Sequence, residues 1–313
     1  MQIFKKKSSL IHCLSLLKEK NKQIGFVPTM GALHKGHQSL VEKSLKNNDV
    51  TVVSIFVNPT QFNNPDDLKK YPKTLKEDLE LLENVGCDFV FIPSVEEIYA
   101  QTVLSKSYSF DGIENQMEGK FRSGHFDGVA TIVQAFFEII KPNTSYFGEK
   151  DFQQLQVVKK LAEKENIPVK VIGCPIYREN DGLAMSSRNI RLSKEQRNEA
   201  PFIYQTLKKV VAFAKTKSIK DVYKFVKNEF ATTSLELEYF TIAEENTLAE
   251  VSEINFDKKT RAFIAVNIGG IRLIDNISLW RKSTFFLFVF FKIQLRLKVL
   301  FLPHVSTSSK IKN

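Results

Sequence analysis

Apolar positions along this chain fall into two alternating spacings. Ile24 to Val27 and Val50 to Val57 are short, nearly continuous apolar runs, the pattern of strands buried on both faces. Phe89 to Ile92, Ser145 to Phe147 and Val169 to Ile172 repeat that pattern. Between them, apolar residues recur three and four apart: Leu40, Val41 and Leu45; Leu75, Leu79 and Leu82; Val129 to Ile140; Leu155, Val158 and Leu161. That is the spacing of helices with a buried stripe. Thr74 followed three residues later by Glu77 reads as a capping box, Gly86 as the stop of the same helix, and Pro142 as the end of the Val129–Ile140 helix. At the start of the chain, Leu10, Ile11, Leu14 and Leu17 are helix-spaced and interrupted by His12, Ser15 and Lys18. A surface helix fits this better than a short signal peptide. Strand and helix alternating in this way predict a parallel sheet wrapped by helices.

Near residue 176 the pattern changes. Tyr177 to Asn189 is polar and reads as a mobile loop, in which Arg178 and Asp181 could pair. A helix is predicted to start near Ser193, with Glu195 and Gln196 in its first turn. Leu235 to Ile242 and Arg261 to Val266 read as strands, and Gly269-Gly270 before Arg272-Leu273-Ile274 as a hairpin. The fold class predicted is α/β: a Rossmann-like parallel-sheet domain at 1–176, a smaller α+β C-terminal domain at 177–279, and an atypical basic, Phe-rich tail at 280–313. No internal repeat is visible.

Composition changes this picture at two points. The 313 residues carry a formal charge of +10, which invites a nucleic-acid reading. Seven of the basic residues, however, lie in 280–313, where there is no Asp or Glu; the remaining 38 basic and 35 acidic residues leave +3. The body is thus nearly balanced, and nucleic acid is not an expected partner. Three cysteines, Cys13, Cys87 and Cys174, stand far apart with no CxxC, which argues against a zinc site or disulfide framework and fits a reducing cytoplasm. In the tail, Phe285 to Phe291 is apolar throughout, but seven residues fall far short of the ~20 that span a bilayer. Basic residues then interleave with apolar ones. This suits an interfacial or strand-like segment, or a non-native extension loosely packed on the body.

Candidate chemistry clusters where predicted strands end. Pro28 to Val41 reads as the end of a strand, a Gly-containing turn and a helix start, with His34 and His37 three apart. That spacing sets two imidazoles on one face beside exposed backbone N–H groups, a place to hold phosphate. Gly31 and Gly36 allow close approach of backbone. A bare HxxH also fits two helix-start residues without chemistry, or, less well, a metal pair. Asn58-Pro59-Thr60-Gln61-Phe62 and Phe147-Gly148-Glu149-Lys150-Asp151 follow two other strands. Convergence of such segments at one sheet edge is what a pocket requires.

The HxGH turn resembles the signature of the nucleotidyltransferase superfamily. PTMGALHKGH at 28–37, VNPTQF at 57–62, FRSGHFDGV at 121–129, FGEKDFQQL at 147–155 and DGLAMSSRN at 181–189, in this order, resemble the pantothenate synthetases, or pantoate–β-alanine ligases, from about residue 1 to Asn276. The resemblance implies an enzyme that activates pantoate with ATP and couples it to β-alanine, giving pantothenate, AMP and pyrophosphate, in a cytoplasmic homodimer. Residue by residue it implies ATP contacts from Met30, Gly31, Ala32, Leu33, His34, Lys35, Gly36 and His37. Further ATP contacts are implied for Gly148, Glu149, Lys150, Asp151, Tyr177, Met185, Ser186, Ser187 and Arg188. It implies pantoate contacts from Gln61 and Gln154, with Gln61 also meeting β-alanine, and His37 as proton donor. His34, Lys150 and Arg188 join His37 as the groups expected to stabilise phosphate charge. Phe62 and Val133 are candidates for the apolar wall facing the gem-dimethyl group of pantoate. His125 reads equally as a ligand or a loop anchor, and Met185 equally as packing or contact. Mg²⁺ is expected with the triphosphate, with no carboxylate nameable as its ligand.

Overall fold

Within the apolar runs, successive side chains enter two different cores. Phe26, Val52 and Phe91 pack in one, while Val27, Val53 and Val90 pack in the other. This period-two alternation requires a sheet covered on both faces. The computed structural model describes residues 1–63, 65–99 and 102–280. Among these, β1 (Gln2–Phe4), β2 (Ile24–Thr29), β3 (Val50–Ile55), β4 (Phe89–Phe91), β5 (Thr144–Gly148) and β6 (Lys170–Cys174) form one sheet in the order β1-β4-β3-β2-β5-β6. Every pairing in it is parallel. The helices of this part of the chain are α1 (Lys7–Glu19), α2 (Lys35–Asn47), α3 (Pro65–Lys69), α4 (Leu75–Asn84), α5 (Val95–Tyr99), α6 (Met117–Phe121), α7 (His125–Ile140) and α8 (Phe152–Lys164). The chain runs outward through β2, β3 and β4, then returns to place β5 on the other side of β2. The strand order therefore reverses between β2 and β5, and the crevice beyond their carboxyl ends is where ligands of such sheets bind.

A second, antiparallel sheet contains β7 (Glu236–Glu244), β8 (Thr260–Ile268) and β9 (Ile271–Ser278), with β8 and β9 joined through Gly269-Gly270. α9 (Lys194–Glu199), which buries no residue, precedes α10 (Phe202–Phe213) and α11 (Ile219–Phe230), and these two share a separate core with the small sheet, built on Leu207, Val226, Ile264 and Val266. Ser193 caps α9 in a capping box with Gln196.

Several details differ from the sequence reading. β1 was not foreseen, because three residues with only Phe4 buried leave no apolar run. Thr74 does not form the box expected with Glu77; its hydroxyl instead donates to Asp78 Oδ1 at 3.1 Å. Leu75 is exposed, so the buried stripe of α4 is carried by Leu82 with Leu79 beside it. α7 begins at His125, four residues before Val129, where Gly124 in the left-handed region turns the chain into the helix. The 177–189 segment is a hydrogen-bonded loop: Arg178 bridges to Ala184, and Met185 N–H donates to the Tyr177 carbonyl. Arg178 and Asp181 do not pair. Arg178 meets the buried carboxylate of Asp275 at 2.6 Å and Asp181 meets Arg197 at 2.6 Å. Among the described residues no helix is long and apolar enough to cross a membrane. The interfacial or loosely packed role read for the tail concerns residues that, from Arg281 onward, lie outside the described ones.

Candidate active site

β2 ends at Thr29, and the chain makes a left-handed turn through Gly31 (φ 80°) and Ala32 (φ 48°) before α2 starts. Ala32 carries a Cβ into a region that disfavours it, so the turn needs outside support. The buried carboxylate of Asp78, from α4, provides it by accepting the N–H groups of Ala32 at 3.0 Å and Leu33 at 2.7 Å. A Cβ on Gly31 would reach 3.0 Å from the same oxygen.

His34 is the N-cap of α2 and His37 its N3 residue, and together they form a capping box made of two imidazoles. His34 Nδ1 accepts from Gly36 N–H at 3.1 Å, and His37 Nδ1 accepts from His34 N–H at 3.3 Å. A ring nitrogen that accepts cannot carry the proton, so each neutral ring holds its hydrogen on Nε2. The rings lie 4.1 Å apart. Burial, with Lys150 adding to it, lowers the pKa of His34 to about 4. Burial followed by the charges of His34 and Lys150 holds His37 well below its ordinary value. Two uncharged N–H donors are thus preorganised at a helix N-terminus.

Beyond β5, a 3₁₀ turn at Glu149–Asp151 leads into α8 and displays Lys150, whose ammonium lies 3.7 Å from Asp151 Oδ1. The 177–189 loop faces it. There Ser186 caps a 3₁₀ turn by accepting from Arg188 N–H, and the Ser187 hydroxyl lies 3.5 Å from the Tyr71 hydroxyl. Beyond β3, Gln61 is buried, donates to Met30 Sδ at 2.9 Å and accepts from Asn58 Nδ2 at 3.3 Å.

These segments enclose a cavity of about 230 Å³ that continues into a second, of about 410 Å³, between the two sheets. Met30, Gly36, Gly148, Tyr177, Met185 and Gln154 line the first, together with His34, His37, Gln61, Lys150, Asp151, Ser186, Ser187 and Arg188. Phe62 and Val133 also face it. Gly31, Ala32 and Leu33 shape the turn without lining the cavity, and Lys35 is exposed. Glu149 turns away, its carboxylate 3.6 Å from Arg261.

Asp78, Arg122 and Asn58 also belong to the site or its frame and are not among the site residues expected from the sequence. Arg122 and Asn58 lie within the 121–129 and 57–62 motifs, which is the signal that points to them; Asp78 lies in no motif. His125 anchors a loop: its Nδ1 lies 2.9 Å from the Gln61 carbonyl. A carbonyl only accepts, so Nδ1 carries the hydrogen, and the neutral ring offers Nε2 as an acceptor. Burial, then the charge of Arg122, lowers its pKa to about 4.

A crevice with paired Nε2–H donors at the switch point of a Rossmann-like sheet places the chain among the HxGH nucleotidyltransferase-like enzymes. Comparison with known proteins narrows that class. The profile described as pantoate-beta-alanine ligase matches residues 2–278. The pantothenate synthetase of Christiangramia forsetii is 52% identical over 281 residues, covering 89% of this chain and 99% of that protein. The crystal structure of pantothenate synthetase from Thermus thermophilus superposes with a TM-score of 0.84 at 36% identity, covering 90% of this chain and all of that one. The pantoate-beta-alanine ligase of Francisella tularensis, crystallised with Beta-gamma ATP and β-alanine, gives 0.75 at 37% identity, covering 89% and 98%. The chain belongs to the pantoate–β-alanine ligase family.

Proposed function

We infer that the cavity carries out the family's two-step condensation of pantoate with β-alanine at the expense of ATP. A free carboxylate is a poor acylating agent, because it would have to expel oxide. A pantoate carboxylate oxygen therefore attacks the α-phosphorus of ATP, the bond to the β-phosphate breaks, and pyrophosphate leaves. The amine of β-alanine then attacks the acyl carbon of the pantoyl adenylate. The acyl–oxygen bond breaks, AMP departs and the nitrogen loses its proton, leaving pantothenate.

The residues suit these steps. Charge builds on phosphate oxygens in the first, so catalysis is mainly positioning and fixed charge. His34 and His37 donate Nε2–H to the triphosphate, with Lys150 and Arg188 as fixed cations and Ser186 and Ser187 as hydroxyl donors. The charge of a bound triphosphate raises the pKa of both rings, so His37, once its Nδ1 exchanges the bond from His34 N–H for a proton, can pass Nε2–H to departing pyrophosphate. Gln61 and Gln154 meet pantoate, since an amide donates and accepts at once; Gln61 also meets β-alanine. Phe62 and Val133 form the wall for the gem-dimethyl group. Among the described residues no three His, Cys, Asp or Glu side chains converge as a metal site. The lining offers imidazole N–H, ammonium, guanidinium, hydroxyl and amide donors beside the carboxylate of Asp151, a set suited mainly to phosphate oxygens, so Mg²⁺ is assigned to the triphosphate it neutralises. We divide the chain at 176, with 177–279 closing over the nucleotide. We also propose a cytoplasmic homodimer, the cytoplasm being where the free thiols Cys13, Cys87 and Cys174 stay reduced.

The observation that carries this reading is the convergence of the HxGH imidazoles, Lys150 and both glutamine amides on one cavity. With Mg²⁺ and ATP, pantothenate and AMP should form only when pantoate and β-alanine are both supplied. Omitting β-alanine should leave the pantoyl adenylate. Consumption of ATP without either product would overturn the proposal. His37→Ala should lower turnover by ~10²–10³-fold, as loss of one preorganised donor does. Adenylate formation at the wild-type rate would remove His37 from the first step.

A further inference from the structure

Two adjacent residues of β9, Asp275 and Asn276, are almost completely buried, yet neither belongs to the small-sheet apolar core. Each reaches a different segment of the cavity wall. Asn276 Nδ2 donates to the Glu149 and Lys150 carbonyls, both at 2.9 Å. Its Oδ1 accepts from Arg261 Nη1 at 2.6 Å. Arg261 can only donate and the two carbonyls can only accept, so the amide has one allowed orientation. Arg261 is itself held by Glu245 at 2.9 Å and stacked over the Phe152 ring at 4.0 Å. The 149–151 turn is three residues long and has no side-chain cap, so Asn276 satisfies two of its carbonyls from across the molecule. Asp275 takes the other segment. It receives Arg178 through both guanidinium nitrogens, at 2.6 and 2.9 Å, and the same Nη1 donates to the Gly182 carbonyl at 3.1 Å. That ties down the base of the loop carrying Met185 to Arg188.

We propose that the Asp275–Asn276 pair is a positioning element that fixes the Lys150 turn and the Arg188 loop at the separation a triphosphate requires. It rests on the assignment of Lys150 and Arg188 to the nucleotide phosphates. Successive residues of a strand point to opposite sides, so a single dipeptide can hold two segments that the sequence leaves unconnected. The small sheet thereby contributes to nucleotide binding without touching the nucleotide.

A double-mutant cycle between Asn276→Ala and Lys150→Ala tests this, with Asn276→Asp and Asp275→Asn as further variants. Asn276→Asp keeps the side-chain shape and the Arg261 contact but loses both donors. Each is assayed for kcat, for KM of ATP and of pantoate, and for melting temperature. Either Asn276 variant should lower kcat/KM for ATP by ~10–100-fold, the scale of a misplaced binding group, with the KM of pantoate little changed. In the Lys150→Ala background the same change should cost less than ~3-fold, because the group it positions is gone. Asp275→Asn should likewise act on ATP rather than pantoate. Wild-type kcat/KM for ATP in Asn276→Asp, or losses that multiply in the double variant, would overturn the positioning role. A Lys150→Ala enzyme as active as wild type would instead overturn the assignment of Lys150.

Discussion

His34 and His37 each give one ring nitrogen to a backbone N–H and keep the other for the cavity. That exchange is specific to histidine in a capping box. The aspartate or serine usual at an N-cap would satisfy the backbone equally well, but would present no neutral N–H donor to phosphate. The arrangement depends on the turn before it, and the turn depends on Asp78. Removing that carboxylate leaves the N–H groups of Ala32 and Leu33 without their acceptor and releases the left-handed Ala32. Asp78→Ala should lose roughly 1–3 kcal/mol in urea unfolding, the penalty of such unsatisfied groups. Its turnover should fall ~10²-fold, as a ~1 Å displacement of catalytic groups does. Unchanged turnover in a folded Asp78→Ala enzyme would show that the turn holds itself.

At the scale of elements, α7 and the Pro59–Gln61 turn form one unit. The Asn58 amide donates to the Gly128 carbonyl at 3.0 Å, and the His125 ring holds the Gln61 carbonyl. The two backbones come so close that a Cβ on Gly128 would stand 2.5 Å from the Thr60 oxygen and 2.8 Å from the Gln61 Cα. Neither contact has a flexible side chain to yield, so the turn itself must move. Gly128→Ala should therefore destabilise by about 1–3 kcal/mol, as overpacking does. It should also raise the KM of pantoate well above any change for ATP, since the contacts proposed for ATP lie on α2, the Lys150 turn and the 177–189 loop. Equal effects on both substrates would separate Gln61 from pantoate.

Across the whole molecule, the two sheets are joined by charge beside the cavity. Arg272 of β9 donates to both oxygens of Glu118 on α6, at 2.6 and 2.8 Å, and to Glu238 of β7. Glu118 also accepts from the Tyr239 hydroxyl. Three histidines at the site add a dependence on pH. His34 and His125 titrate near 4 in the folded protein, chiefly through burial, and His37 is also lowered, against 6.5 in an unfolded chain. Between those limits the unfolded chain binds more protons than the folded one, so stability rises with pH over that window and levels off above it. The unliganded enzyme should lose stability as pH falls from 6.5, by up to about 1.4 kcal/mol per pH unit for each histidine. Urea unfolding at pH 5 and pH 7 checks this, and equal free energies would mean the rings are not buried as neutral groups. Burial works against the Glu118 carboxylate but Arg272 holds it below the usual range, whereas burial raises Asp275, which opposes the histidine trend where it titrates.

Features that depend on near neighbours in the chain could be read from the residues alone. Apolar runs and helical stripes marked β2 to β6 and the helices α1, α2, α4, α7 and α8, and hence a parallel sheet wrapped by helices; β1 and the strand order did not follow from them. HxGH, the Gln61 and Gln154 blocks and the Lys150 turn could be read because each lies within a few residues of a strand end. The tertiary structure alone decided which distant residues hold those segments in place. Asp78 lies 46 residues from Ala32, and Asn276 lies 127 from Glu149. Arg178 and Asp181 stand close enough in sequence to pair, but Arg178 meets Asp275, 97 residues away. Periodicity reports which face of an element is buried. The polar partner a buried backbone group or charge receives depends on which elements the core packs together, and no local spacing encodes that.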